Sequence, residues 1–295
     1  MAILIDPPLW PAHGTRFSHL VSDHSLAELH AFAAAAGLSE RAFDADHYDV
    51  PVRLHAELVA RGALAVPAGE LIRRLRRSGL RVPARRRPRP RRAALLGRWE
   101  QVLPGRADLG RGVLDRWEED HRRYHTSEHL LDVLEALDKL CRPHSPPPAV
   151  LLAAWFHDAV HRGEAGEDER QSAALAQRTL DGAGLPGDLV AEVTRLVLVT
   201  MAHRPDPEDL HGGLLCDADL AVLGRDEAGY GRYLHQVRQE YAHVTDADWR
   251  TGRSAVVQGL LELQPLFRTP QGVHRWQDRA RANLTAELES LRSPS

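Results

Sequence analysis

Thiols are scarce. Two cysteines, Cys141 and Cys216, serve 295 residues and form no CxxC pair. That excludes a disulfide framework and points to a reducing compartment. Long apolar runs are absent too: no segment approaches the ~20 apolar residues that a membrane-spanning helix needs. The N-terminal "MAILIDPPLWP" has no basic leader, and its apolar run stops at Asp6, so it reads as neither signal peptide nor anchor. A surplus of positive charge is also missing. The net charge is -3 with His neutral, so the chain as a whole is not a basic nucleic-acid binder. The expectation is a cytoplasmic protein with no membrane partner and no nucleic-acid partner. Homo-oligomerisation is left open.

What is present is an ordinary globular composition, 43% hydrophobic and 27% charged, on a chain long enough for one large domain or two. Histidine is over-used, at 17 residues. The chain is also rich in Arg and Ala and poor in Lys, so compositional bias accounts for that count by itself.

One composition break stands out. "RVPARRRPRPRRA" (Arg81 to Ala93) sets Arg85, Arg86, Arg87, Arg89, Arg91 and Arg92 among Pro83, Pro88 and Pro90. Proline blocks helix and sheet and like charges repel, so an extended, solvated linker is expected over 83–94. Before it, residues 1–82 read as a small α/β domain. "AILIDPP" is a buried strand ended by prolines, and "FDADHYDVP" and "ALAVP" offer further short strands. "SLAELHAFAAAAG" is a helix with Ser25 as N-cap, Glu28 completing a capping box and Gly37 at its end. "VRLHAELVARGA" and "PAGELIRRLRRSGL" are two more. After the linker, residues 95–295 follow the helical period almost throughout, and no strand alternation appears. The fold class expected is mainly α, preceded by the small α/β domain.

Chemistry shows where the helical pattern is violated. "AVLLAAWFHDAV" is apolar on all sides yet ends in adjacent His157 and Asp158, with His161 beyond. "LLCDADLAVLG" puts Asp217 and Asp219 into another apolar run. Burying ionised carboxylates is costly unless a cation or strong donors compensate. "RRYHTSEHLLDVLEAL" adds His125 and His129 at the mouth of an apolar helix. Such a mixed imidazole and carboxylate set suits Mn, Fe, Co, Ni or Zn, and with fewer imidazoles Mg.

The order H…HD…D on helices resembles the HD superfamily of metal-dependent phosphohydrolases, over about the last two-thirds of the chain. "YHTSEHLLDV" is similar to the YHNxxHAxDV signature of cyclic-nucleotide phosphodiesterases, with Thr126 where that signature has Asn. "WFHDAV", "ERQSA", "LLCDADLAVLG", "EYAHV" and "ARANL" look most like a subfamily of predicted HD phosphohydrolases. The resemblance implies His129, His157, Asp158 and Asp219 as metal ligands, with Asp217 the alternate, and His125 as proton donor. The purine-clamping Gln and Phe of the phosphodiesterases find no place here, so cyclic nucleotides do not follow. "MAILIDPPLWPAHGTRFSHLVSD" and "FDADHYDVP" resemble a small family known only as a domain of unknown function.

Other residues carry two readings each. His161, one helical turn after His157, is a second-metal or phosphate contact, or a polar residue at a helix end. His203 closes a helix, where the dipole favours His, yet stands between the HD pair and Asp219. His211 reads as loop. Glu169, in a first helical turn, serves the dipole or orients the attacking water. Arg162 and Arg204 are phosphate clamps or simply exposed, and Asp217 joins His161, His203 and Arg204 as a candidate substrate contact. In the N-terminal domain, Asp6 follows the first strand, where α/β sheets place ligands; Asp6, His13, His19, Asp23, Asp46, His47 and Asp49 read mainly as turn and capping residues, with a second acidic site as the lesser reading.

The leading expectation is hydrolysis of a phosphate ester of a nucleotide or small metabolite by metal-activated water, with His125, Asp158 and Glu169 as the catalytic set. A two-iron oxygenase on the same fold is the alternative, drawing on His161, His203 and His211. A non-catalytic ligand sensor is the third.

Overall fold

The computed structural model describes residues 2–12, 14–83 and 86–292; His13 and Arg85, both named above, lie outside the described residues. The chain divides into two compact units, Met1–Pro90 and Arg91–Ser295.

The first unit is a small sheet with helices. Its strands are β1 (Ile3–Ile5), β2 (Trp10–Ala12), β3 (Thr15–Ser22), β4 (Phe43–Asp44), β5 (His47–Pro51) and β6 (Leu64–Ala65). The order is β4-β5-β3-β1-β6, with β2 beside β3. β1 and β6 run parallel, while β3 pairs antiparallel with β1, β2 and β5. All three side chains of β1 are buried, as a short apolar run ended by Pro7 and Pro8 predicts. Helices α1 (Leu26–Ala35), α2 (Val52–Ala60) and α3 (Ala68–Arg77) complete it.

Ser25 caps α1 by accepting from the Glu28 amide at 3.1 Å. Glu28 does not complete a capping box; its carboxylate takes the Ser22 hydroxyl at 2.5 Å instead. Gly37 follows α1 at φ +72°, a conformation that glycine adopts without strain. β3 is the element the sequence hides. Ser18 and Ser22 are as buried as Leu20, so no polar and apolar alternation marks the strand.

The second unit is helical: α4 (Pro88–Val102), α5 (Ala107–Trp117), α6 (Ser127–Cys141), α7 (Pro148–Phe156), α8 (Glu167–Gly182), α9 (Gly187–Val199), α10 (Leu210–Asp219), α11 (Glu227–Glu240), α12 (Asp246–Glu262) and α13 (Pro270–Arg292). The protein is thus mainly helical, preceded by a small α/β unit. Among the described residues, no helix is long and apolar enough to cross a membrane.

Two departures concern the Arg/Pro run. It is not extended throughout, because α4 already starts at Pro88. Pro88 and Pro90 both fall in the first turn, where backbone N–H groups have no intrahelical partner to lose. Nor are its arginines simply solvated. Arg81 reaches Asp46, Arg87 reaches Asp44 at 2.7 Å, Arg91 reaches Ser127 at 3.0 Å, and Arg92 reaches Asp115 and Glu118.

The helical unit has two apolar cores. One gathers Trp99, Trp117, Trp155 and Phe156 around α6, α7 and α9. The other gathers Tyr124, Tyr230, Tyr233 and Phe267 with α12 and α13. α7 is buried along nearly its whole length, as its uniform apolarity predicts. Helices stop sooner than the periodicity suggests. α5 ends at Trp117, α7 at Phe156 and α9 at Val199, so His121, His161 and His203 lie in the turns that follow. His211 departs the other way and lies within α10, its Nδ1 2.9 Å from Glu192.

Candidate metal centre

Thr126 caps α6, accepting from the Glu128 amide at 3.3 Å, so His125 stands just outside the helix and His129 in its first turn. α7 delivers His157 at its C-cap and Asp158 directly after. α10 delivers Asp219 as its last residue. Helices α6, α7 and α10 pack on one another and bring these ends together.

The four ligand atoms converge. His129 Nε2 is 3.0 Å from Asp219 Oδ1 and 3.4 Å from His157 Nε2. His157 Nε2 is 3.1 Å from Asp158 Oδ2 and 3.5 Å from Asp219 Oδ1. His129 Nε2 is 3.8 Å from Asp158 Oδ2. Ligands bound at about 2.0–2.2 Å from one small cation stand roughly 3–3.6 Å apart, and His129, His157 and Asp219 fit that spacing, with Asp158 beside His157. The two imidazole nitrogens face each other at 3.4 Å, and the two carboxylates beside them would balance the charge of a shared cation.

The surroundings orient the set. His157 Nδ1 donates to the Ala154 carbonyl at 2.9 Å, which turns Nε2 toward the cluster. The Trp117 ring packs on His157 and His129, with centroids 5.3 and 6.1 Å away, and Tyr124 packs on His129 at 4.8 Å. His129 therefore sits where the two cores meet. Burial opposes the ionisation of Asp158 and Asp219, but the charge of His157 and hydrogen bonds from the imidazoles hold both carboxyls below their ordinary range. Burial likewise opposes charge on His157, yet Asp158 and Asp219 raise its pKa well above that of a free imidazole. The pocket is thus built for positive charge.

A second group adjoins the first. Glu240 Oε1 lies 2.5 Å from His125 Nδ1 and 3.0 Å from His161 Nε2. Its Oε2 accepts from the amides of Arg123, Tyr124 and His125. His125 Nε2 is turned toward Asp158, 4.0 Å from Oδ2. Burial and the neighbouring His161 lower the pKa of His125, while the Glu240 hydrogen bond raises that of His161 against burial. Both triads, His129–His157–Asp219 and His125–His161–Glu240, have ligand atoms close enough to share an ion.

A cavity of about 480 Å³ opens on this edge. Its lining includes His125, His203 and Asp219 together with Tyr233, Tyr241, Trp249 and Val256. His203 is held at φ +50°, uncommon for a residue with a side chain, and its Nε2 lies 2.8 Å from Asp219 Oδ2. Glu169 also borders the cavity, but its carboxylate accepts from the Gly166 amide at 2.7 Å and caps α8.

Two expected substrate contacts are placed elsewhere. Asp217 is fully buried and accepts from the amides of Arg268 and Thr269 and the Thr269 hydroxyl at 2.6–2.7 Å. It holds the entry to α13 and presents nothing to a ligand. Arg204 is exposed, 3.7 Å from Glu262, and does not line the cavity. Arg162 is exposed as well.

Sequence reasoning missed Glu240, which lies in "EYAHV" at the end of α11, a polar helix with nothing else to mark it. It also missed Arg122 and Asp168. The buried Arg122 guanidinium donates to the carbonyls of His125, Asp158 and Ala159, at 3.0, 2.8 and 3.2 Å, and ties both ligand-bearing turns together. Asp168 Oδ2 accepts from the amides of Arg162, Gly163 and Glu164 and pins the loop after the HD pair.

Residues 3–78 match a family described as a protein of unknown function (DUF4031). No curated protein matches the chain, and no solved structure does.

Proposed function

We propose that the helical unit is a metal-dependent phosphohydrolase of the HD type, acting on a nucleotide or small phosphorylated metabolite. One observation carries the reading: the convergence of His129, His157, Asp158 and Asp219 beside an open cavity. A divalent cation held by these residues would supply an acidified water and polarise a phosphoryl oxygen. His125, its Nδ1 fixed by Glu240, takes up at Nε2 the proton the attacking water loses and returns it to the leaving oxygen. Arg122 keeps the His125 and Asp158 turns in register. The aromatic wall of Tyr233, Tyr241 and Trp249 suits the organic part of an ester. Arg253, the one arginine among the described lining residues, is engaged by Glu287 and Tyr233, so the anion relies on the cation and His203. The test is metal analysis with a broad phosphoester screen. Wild type is expected to hold the cation and hydrolyse at least one ester; His157→Ala loses both. Unchanged hydrolysis in Asp158→Ala would refute the reading.

The His125–His161–Glu240 triad favours a second reading, a two-iron oxygenase in which this triad would hold the second ion. Two irons lost together in His157→Ala, with oxygen consumption, would put that reading first.

A further inference from the structure

The N-terminal unit carries another imidazole and carboxylate group. β3 and β5 pair with His19 opposite Asp49. Directly paired residues share a face of a sheet, as do residues two apart on one strand, so His19, Asp49 and His47 stand on the same side. His47 Nε2 lies 3.4 Å from Asp49 Oδ1, His19 Nε2 lies 4.0 Å from it, and the two rings meet edge to face at 4.8 Å. The three ligand atoms are close enough to share an ion.

The other nitrogen of each ring separates this group from an ordinary polar surface. His19 Nδ1 lies 3.0 Å from Asp6 Oδ2, and His47 Nδ1 lies 2.6 Å from Asp46 Oδ1. Both of these carboxylates are buried, at 1% and 0% exposure. Asp6 is fixed further by the His19 amide and Trp10 Nε1, and Asp46 by the Val82 amide and Arg81. A carboxylate on Nδ1 selects the tautomer that leaves the Nε2 lone pair outward, which is how ligating histidines are held. Here that device occurs twice, with both outward nitrogens converging on one carboxylate oxygen. Asp49 is 47% exposed, so the site is open to solvent.

We propose that His19 Nε2, His47 Nε2 and Asp49 form a divalent-cation site, with Asp6 and Asp46 as its orienting carboxylates. Two imidazoles and one carboxylate favour Zn, Mn, Fe, Co or Ni over Mg or Ca. Three protein ligands leave a coordination position free for water or an anionic oxygen ligand, as in sites that bind substrate. All five residues fall within the matched 3–78 segment, and the site stands apart from the reading of the helical unit.

The probe is cobalt(II), titrated into full-length protein carrying His129→Ala and His157→Ala and followed by visible absorption and equilibrium dialysis. One ion per chain is expected to depend on His19 and Asp49, with the spectrum of nitrogen and oxygen ligation. His19→Ala or Asp49→Ala should abolish it, and Asp6→Asn should weaken it about tenfold or more, the usual effect of losing an orienting partner. No cobalt bound by the double variant, or binding unchanged by both Asp49→Ala and His19→Ala, overturns the proposal. If the double variant does not fold, wild type against Asp49→Ala decides: the count falls by one ion, or the proposal fails. Loss of the helical-unit ion in His157→Ala alone reports on that unit and leaves this count untouched.

Discussion

Asp217 and Asp219 show what one side chain's direction decides. Both interrupt the same apolar run, and residues two apart on a helix point to roughly opposite sides. Asp219 meets three imidazoles, those of His129, His157 and His203, while Asp217 meets the backbone of residues 268 and 269. Asp219→Ala is expected to abolish metal retention. Asp217→Ala is expected to keep it while losing about 1–3 kcal/mol of stability, because three partly buried donors lose their acceptor. Metal content and urea unfolding, measured side by side, separate the two; metal loss in Asp217→Ala would contradict the assignment. From sequence, the misplaced carboxylates and the HD dipeptide were legible because they break an apolar pattern. Glu240 and Arg122 break none. Their roles exist only once the turns that bear His125, Asp158 and His161 are brought together, and spacing along the chain does not encode that.

Elements were legible where packing follows periodicity. α6, α7 and α10 stand where their apolar residues put them. β3 was not, because its polar side chains are spent inside the unit: Ser22 bonds Glu28, and His19 bonds Asp6. The start of α4 was masked by prolines that a first turn tolerates. The contact of α12 with α13 is also poorly announced, since both helices look polar. It is held by Arg253, whose Nε donates to Glu287 Oε1 at 2.7 Å and whose Nη2 donates to the Tyr233 hydroxyl at 2.9 Å. Tyr230 donates to the other Glu287 oxygen at 2.5 Å. All are buried. Removing one partner strands a buried charge, so Glu287→Ala should cost about 3–5 kcal/mol, and Arg253→Met with Glu287→Leu should recover most of it. Denaturant midpoints test this; equal losses in single and double variants would show that the charges themselves are needed.

At the scale of the whole molecule, the helical unit has two apolar cores and two candidate metal groups, and the N-terminal unit has apolar clusters and a candidate group of its own. In the helical unit the ligands come from the ends of three helices, so cation binding and helix packing are linked. Free metal at about 100 times Kd stabilises a folded state by about 2.7 kcal/mol. Chelation should therefore lower the unfolding temperature of the helical unit in wild type and leave His157→Ala unmoved. Calorimetry with and without chelator reads the difference, and an equal shift in both proteins would disconnect the cluster from metal.

Two imidazoles rest against the Trp117 ring. It is also a chromophore. Trp10 lies 5.2 Å from His19, much as Trp117 lies 5.3 Å from His157. Each candidate site thus carries its own emitter within contact distance of a ligand. An open-shell ion such as cobalt(II) quenches an indole so close to it. Trp10→Phe is therefore expected to remove the quenching that reports the N-terminal site, and Trp117→Phe to reduce the quenching that reports the helical unit.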